Sequence, residues 1–212
     1  MKVVAFNGSP KKDGNTAILL KTALEELKTQ GIETELVHIG GQPLRGCIAC
    51  GKCVELKNQK CVLPNDSINE WIQKVIEADG IILGSPTYFA DVSAEMKAFI
   101  DRVGMVGYGN GSIFRRKVGG AVVAVRRGGS IHVFDTMNHF FQINQMIVVG
   151  SSYWNMGYGM TPGEVNQDEE GIQTMRNLGR NMGWLISCIE AGKDKVPVPE
   201  TLLGKRTNFI RQ

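Results

Sequence analysis

Four of the chain's five cysteines fall within GCIACGKCVELKNQKC, residues 46–61, as Cys47, Cys50, Cys53 and Cys61. Thiols spaced this closely can ligate a metal, work as a redox dithiol such as Cys50 with Cys53, or pair as disulfides. Structural zinc usually draws on two separated cysteine pairs, and three ligands within seven residues would be unusual for it. Three other stretches have the makings of a binding site. GSPKKDGNT, residues 8–16, fits neither a dinucleotide fingerprint nor a Walker A loop. It still offers side-chain donors at Ser9, Asn15 and Thr16, positive charge at Lys11 and Lys12, and Gly14 just ahead of a helix start whose free N–H groups attract anions. A phosphate suits it; a capped helix behind a polar turn is the plainer alternative. SPTYF, residues 85–89, has Pro86 to stiffen a turn, with Thr87, Tyr88 and Phe89 able to present backbone amides and aromatic surface. Arg126, Arg127, Gly128 and Gly129 add cations and close backbone approach. A flat anionic ring would suit that mouth, though SPTYF could also be an ordinary loop over core aromatics.

Other reactive side chains are scattered. His38, His132 and His139 have no partner at metal-ligand spacing. His132 and His139, seven apart, read as core or subunit interface. Asp91 and Glu95 read as charges at a helix N-terminus, and Cys188, within WLISCI, as a core residue. No general base or nucleophile stands out.

The elements that must position these stretches alternate. Apolar runs predict strands at 2–6, 33–39, 80–84, 118–125 and 146–150, and apolar stripes predict helices at 16–28, 67–78, 93–103, 130–145 and 168–191. Ser67 with Glu70 has a capping-box pattern. Five strands, each followed by a helix, imply an α/β fold with a parallel sheet covered on both faces. VVAF, IIL, AVVAV and MIVV lack polar alternation, as fully buried strands should. In the order 2-1-3-4-5, strands 1, 3 and 4 are neighbours, and the three unusual loops converge beyond their carboxyl ends. Two connections, 40–66 and 151–167, are long enough to be functional. The apolar load of helix 130–145, with Tyr153, Trp154, Met156 and Tyr158 after it, suggests core plus an oligomer interface. Residues 193–212 read as an extended tail suited to lie on a partner subunit.

The 212 residues suit one globular domain, and a formal charge of +3 is too small and dispersed to argue for nucleic acid. Arg115, Arg116 and Lys117 read as a solvated loop. MKVVAFNGSP lacks the pattern of a signal peptide, and no run approaches the roughly 20 apolar residues of a membrane span. The expected compartment is the cytoplasm, where thiols stay reduced and clustered cysteines serve metal or redox chemistry.

FNGSPKKDGNT, GSPTYFADVSAEMKAFIDR and VRRGG, in register over residues 1–192, resemble the flavodoxin-like NADPH-dependent FMN reductases. The resemblance implies a three-layer flavodoxin-like domain over 1–192, with a cysteine-bearing insertion at 40–66. It implies FMN, with its phosphate at Ser9, Lys11, Gly14, Asn15 and Thr16. The ring would rest on Pro86, Thr87, Tyr88 and Phe89 and face Arg126, Arg127, Gly128 and Gly129. It also implies a homodimer or homotetramer. Within that family the iron–sulfur flavoproteins carry C-x2-C-x2-C with a fourth cysteine a short way on, and the seven-residue gap before Cys61 is at the long end of that pattern. A cubane cluster takes four thiolates, and Gly46 and Gly51 let the backbone bend around it. The expectation is an FMN-dependent oxidoreductase or electron-transfer flavoprotein with a [4Fe–4S] cluster on Cys47, Cys50, Cys53 and Cys61. Zinc, a dithiol and an empty motif remain alternatives. Without a cluster, an NAD(P)H-dependent FMN or quinone reductase is expected; a flavin-binding interaction protein without turnover is the third possibility. NAD(P)H would dock transiently over the flavin, and the electron donor and acceptor, small molecule or protein, are left open.

Overall fold

The computed structural model describes residues 1–202 together with Thr207 and Phe209. Its strands are β1 (Lys2–Asn7), β2 (Glu33–His38), β3 (Gly80–Pro86), β4 (Val118–Val125), β5 (Ile147–Val148) and β6 (Met156–Tyr158). Its helices are α1 (Asn15–Thr29), α2 (Lys52–Leu56), α3 (Ile68–Glu77), α4 (Ala94–Gly109), α5 (Ser130–Ile143) and α6 (Glu169–Gly192), with a 3-10 turn at Glu164–Gln167. The strands are parallel, in the order β2-β1-β3-β4-β5, with β6 also paired to β4.

Period-two alternation divides the buried strands between two cores. Val4, Phe6, Ile81, Leu83, Ala121 and Val123 face α3, α4 and α5, while Val3, Ala5, Ile82, Val122 and Ala124 face α1 and α6. All eight residues of β4 are buried, as its unbroken apolar run requires, whereas β2 lies at the edge and is half-exposed.

The fifth strand position differs from the expectation of one strand over 146–150. Here β5 pairs with the start of β4, at Val118 and Gly119, and β6 pairs with its end, at Val123 to Val125. The chain leaves the sheet after Val148 and returns at Met156, so the polar and aromatic stretch between them loops out. The capping box at Ser67 does not form: no Ser67 side-chain cap bond is made, and the Ile68 amide instead donates to Asp66 Oδ1 at 3.2 Å. Cys188 is exposed rather than core, because α6 buries Met182 and Ile186 and turns Trp184 and Cys188 outward. His132 and His139 do share a face, but it is the exposed one. Within the expected tail, Pro199 accepts a hydrogen bond from Arg116 at 2.6 Å; residues 203–206, 208 and 210–212 of that tail lie outside the described residues.

Candidate functional site

At the carboxyl ends of β1, β3 and β4 the chain encloses a cavity of about 220 Å3. Its walls include Ser9, Lys11, Asn15, Thr16, Pro86, Thr87, Tyr88 and Arg126, eight of the thirteen residues singled out for FMN. Gly14 caps the start of α1 without lining the cavity, and Phe89 is 97% exposed. Arg127, Gly128 and Gly129 are exposed beyond the wall, although a Cβ on Gly129 would stand 3.0 Å from Thr87 Cγ2.

Loop 8–14 is shaped by Asn7, a residue the sequence does not advertise. Buried at the end of β1, Asn7 accepts the Ser9 amide at 3.0 Å through Oδ1 and donates to the Lys12 carbonyl at 3.2 Å. Ser9 Oγ accepts the Lys11 amide at 3.2 Å, which leaves its own hydroxyl proton to give. Among the described residues no side chain caps α1, so its first N–H groups face the loop as donors for an anion. The Asn15 amide is committed elsewhere: it donates to Thr161 at 3.0 Å and accepts the Gly163 amide at 2.9 Å. Asn15 therefore ties loop 159–163 to the cavity, which adds Gly159, Met160 and Pro162 to the wall. The length of connection 151–167 was the only sequence signal for those three.

SPTYF also behaves differently from the expectation that its amides are free. The Thr87 amide donates to the Ala124 carbonyl at 2.8 Å and the Tyr88 amide to the Asp91 carbonyl at 2.9 Å, which locks the loop against β4. What Thr87 leaves free is its hydroxyl. Thr87 Oγ1 is buried in the cavity wall without a hydrogen-bond partner among the described residues. A buried hydroxyl left unpaired costs about 1–3 kcal/mol, so this atom marks a place for a polar ligand. With the α1 N-terminus and Lys11, it makes a donor set that fits a phosphate-bearing, polar-edged ring such as FMN.

The cysteines form a second cavity, of about 130 Å3, lined by all four of Cys47, Cys50, Cys53 and Cys61 and closed by Arg102, Met105 and Val106 of α4. Cys47 and Cys50 are exposed; Cys53 and Cys61 are half-buried, and burial pushes the Cys53 thiol up from its ordinary value. All five cysteines are free thiols. Ala49, Lys57, Gln59 and Asn65 adopt positive φ, as does Gly51, so the segment coils tightly. Such backbone persists only where surroundings enforce it, and they do here. Asn69 of α3 accepts the Cys61 amide at 2.8 Å and donates to its carbonyl at 2.9 Å, while Asn110, capping α4, donates to the Cys53 carbonyl at 3.3 Å. The Ala49 amide points at Cys47 Sγ from 3.5 Å and Arg102 Nε at Cys61 Sγ from 3.4 Å. Among the described residues no three His, Cys, Asp or Glu side chains form a group that could hold one metal ion. A cluster of several irons spreads its thiolates around a larger body, and N–H groups aimed at sulfur are the surroundings such clusters use. The donor set fits a cluster.

One stretch of chain links the two cavities: the loop that walls the first runs on into α4, which walls the second. The Pro86–Tyr88 stretch leads into its N-terminus, and Arg102 to Val106 lie about 12–18 Å along its axis from Ala94. The segments also touch: a Cβ on Gly40, at the start of the cysteine connection, would lie 2.1 Å from the Ser9 carbonyl oxygen.

A doubly wound parallel sheet with an anion-ready loop after its first strand and a cavity across three neighbouring strands defines a flavodoxin-like protein. Residues 1–161 match the family described as NADPH-dependent FMN reductase, and the chain belongs to that family. It is accordingly a flavin-dependent oxidoreductase with FMN as cofactor. It is 40% identical over 197 residues to an iron–sulfur flavoprotein of Methanocaldococcus jannaschii, covering 90% of this chain and all of that protein. It is 32% identical over 197 residues to an iron–sulfur flavoprotein of Methanosarcina thermophila, covering 92% of this chain and all of that one. The WrbA-like flavodoxin of Agrobacterium tumefaciens superposes with a TM-score of 0.62 at 17% identity, covering 88% of this chain and 97% of that one, a likeness of fold.

Proposed function

We propose that the protein is an electron-transfer flavoprotein in which FMN exchanges electrons with a [4Fe–4S] cluster on Cys47, Cys50, Cys53 and Cys61. The observation that carries this reading is the convergence of all four cysteines on one cavity, where N–H groups point at the Cys47 and Cys61 sulfurs. The names of the relatives, iron–sulfur flavoproteins covered along their whole length, support it. Bound together, the two groups supply two-electron exchange at the flavin and one-electron exchange at the cluster.

The chain's own part is binding and orientation. Ser9, Lys11, Thr16 and the α1 N-terminus hold the phosphate; Gly14 and Asn15 fix where that helix and loop 159–163 stand. Pro86, Thr87 and Tyr88 form the seat of the ring, and the Thr87 hydroxyl supplies a hydrogen bond to its polar edge. Arg126 sets a positive charge at the mouth, with Arg127, Gly128, Gly129 and Phe89 around the opening. The electron donor, NAD(P)H or a reduced protein, and the acceptor approach from that open side.

The assembly we propose is a homodimer or homotetramer joined through the exposed edge at β5. Ile147 and Val148 are exposed there, near Ile143, Tyr153 and Trp154. Among the described residues no helix is long and apolar enough to cross a membrane. Five free thiols suit the reducing cytoplasm.

Anaerobic purification tests the reading. We expect a broad iron–sulfur absorbance beneath the flavin bands and about four irons and four sulfides per chain, as a cubane requires. A pure flavin spectrum with no iron would replace this reading with that of an NAD(P)H-dependent FMN or quinone reductase lacking a cluster.

A further inference from the structure

Among the described residues Arg102 is the largest side chain that is fully buried, and it projects from α4 into the wall of the cysteine cavity. A guanidinium has five N–H donors, and here each one is engaged. Nη1 bonds Asp66 Oδ2 and the Arg45 carbonyl at 3.1 Å; Nη2 bonds Asp66 Oδ1 at 3.2 Å and the Leu63 carbonyl at 3.4 Å. The fifth, on Nε, goes to Cys61 Sγ at 3.4 Å. One side chain thus grips the cysteine segment on both sides of its coil, at Arg45 and at Leu63 and Asp66, and also touches the fourth sulfur.

Burying a guanidinium is costly even when it is paired, and an apolar side chain of similar volume would fill this place at least as stably. A strut for the fold would need only the carboxylate and the carbonyls. The bond to sulfur adds little while Cys61 is a thiol, a weak acceptor, and far more when the sulfur is an anionic ligand. Hydrogen bonds to ligand sulfurs and nearby charge are two of the levers that set cluster potentials. Asp66, only 6% exposed at its side chain, balances the charge of Arg102, so the sulfur meets an N–H dipole more than a net cation.

We infer that Arg102 is a positioning residue of the cysteine site: it fixes Cys61 for cluster binding and, through its Nε–H and its pairing with Asp66, sets the reduction potential there. The inference rests on the cluster reading above. It gives Arg102 and Asp66 opposite signatures. Arg102→Lys keeps a positive charge but has no Nε–H for Cys61 Sγ and cannot span the four partners. Asp66→Asn keeps the bond to sulfur and removes the balancing charge.

The experiment compares anaerobically reconstituted wild-type, Arg102→Lys and Asp66→Asn proteins. The readouts are iron and sulfide per FMN and the midpoint potential of the iron–sulfur absorbance, with FMN content as the check on the fold. Arg102→Lys is expected to hold less iron at undiminished FMN, and any cluster it keeps should have a more negative potential. Asp66→Asn is expected to shift the potential to more positive values. If Arg102→Lys holds no iron while keeping FMN, the positioning role stands, and Asp66→Asn alone reports the potential. Wild-type potential in both variants, whatever their iron content, would reduce Arg102 to a strut and overturn the inference alone. Wild-type protein free of iron would overturn the cluster reading and this inference together.

Discussion

Thr87 and His38 show how single side chains near the flavin cavity carry opposite kinds of information. The Thr87 hydroxyl is buried without a partner, so the empty protein bears a desolvation penalty that a bound ligand can relieve. Thr87→Val should leave the melting temperature of FMN-free protein unchanged or higher. It should weaken FMN binding about 5- to 30-fold, corresponding to ~1–2 kcal/mol. Fluorescence titration with FMN measures this, and an unaltered affinity would detach Thr87 from the ligand. His38 works the other way. Its Nδ1 lies 3.3 Å from the Asn7 amide nitrogen, and burial holds its pKa below the ordinary value, with Lys12 adding to the effect. Above roughly pH 6.5 neither the folded nor the unfolded chain is protonated at this residue, and the contribution to stability is complete. As pH falls through that value the unfolded chain takes the proton first. Stability then declines until the lower folded pKa is reached. Thermal melts from pH 7.5 to 5 should therefore slope less steeply in His38→Gln than in wild type; equal slopes would rule His38 out as a contributor.

Among the elements, the junction between β1 and the cysteine connection is the tightest. Gly40 leaves no room for a side chain beside the Ser9 carbonyl, and both Ile39 and Gly40 donate to the Asn7 carbonyl, at 2.9 and 3.1 Å. Gly40→Ala must displace backbone, at a cost of about 1–3 kcal/mol or more. The displacement falls on the loop that holds the phosphate, so FMN content should drop along with the denaturation midpoint. A variant that melts early but binds FMN normally would show that the two segments are not coupled. The sequence made the central elements easy to read, since β1, β3 and β4 are unbroken apolar runs and α1 begins within a residue of its expected start. It hid what depends on partners distant in the chain. The fifth strand position is split because β4 is long enough to pair with two short segments on either side of an outward loop. Asp66 rather than Ser67 meets the α3 amide because Arg102, 36 residues further on, holds Asp66 in place. Asn15 turns toward loop 159–163, and the Thr87 and Tyr88 amides toward β4 and Asp91. Residue types mark eight of the cavity-lining positions, while the long bonds of Asn15 to loop 159–163 bring Gly159, Met160 and Pro162 to the wall, and Asn7 shapes loop 8–14 from outside it through local bonds.

The assembled protein should not be a monomer if the open side at β5 is a joint. An exposed sheet edge bearing Ile147 and Val148 invites pairing, and a lysine there is a known way to prevent it. Sedimentation of the wild-type protein should give a dimer or tetramer, and Val148→Lys should shift it toward smaller species with its FMN retained. Monomeric wild-type protein would contradict that arrangement. The division of labour between the two cavities leads to a quantity that can be counted. An anaerobic reductive titration, followed at flavin and iron–sulfur wavelengths, measures the electrons each chain can hold. The account predicts about three, two at FMN and one at the cysteine site; an endpoint at about two, with only the flavin bands bleaching, would contradict it.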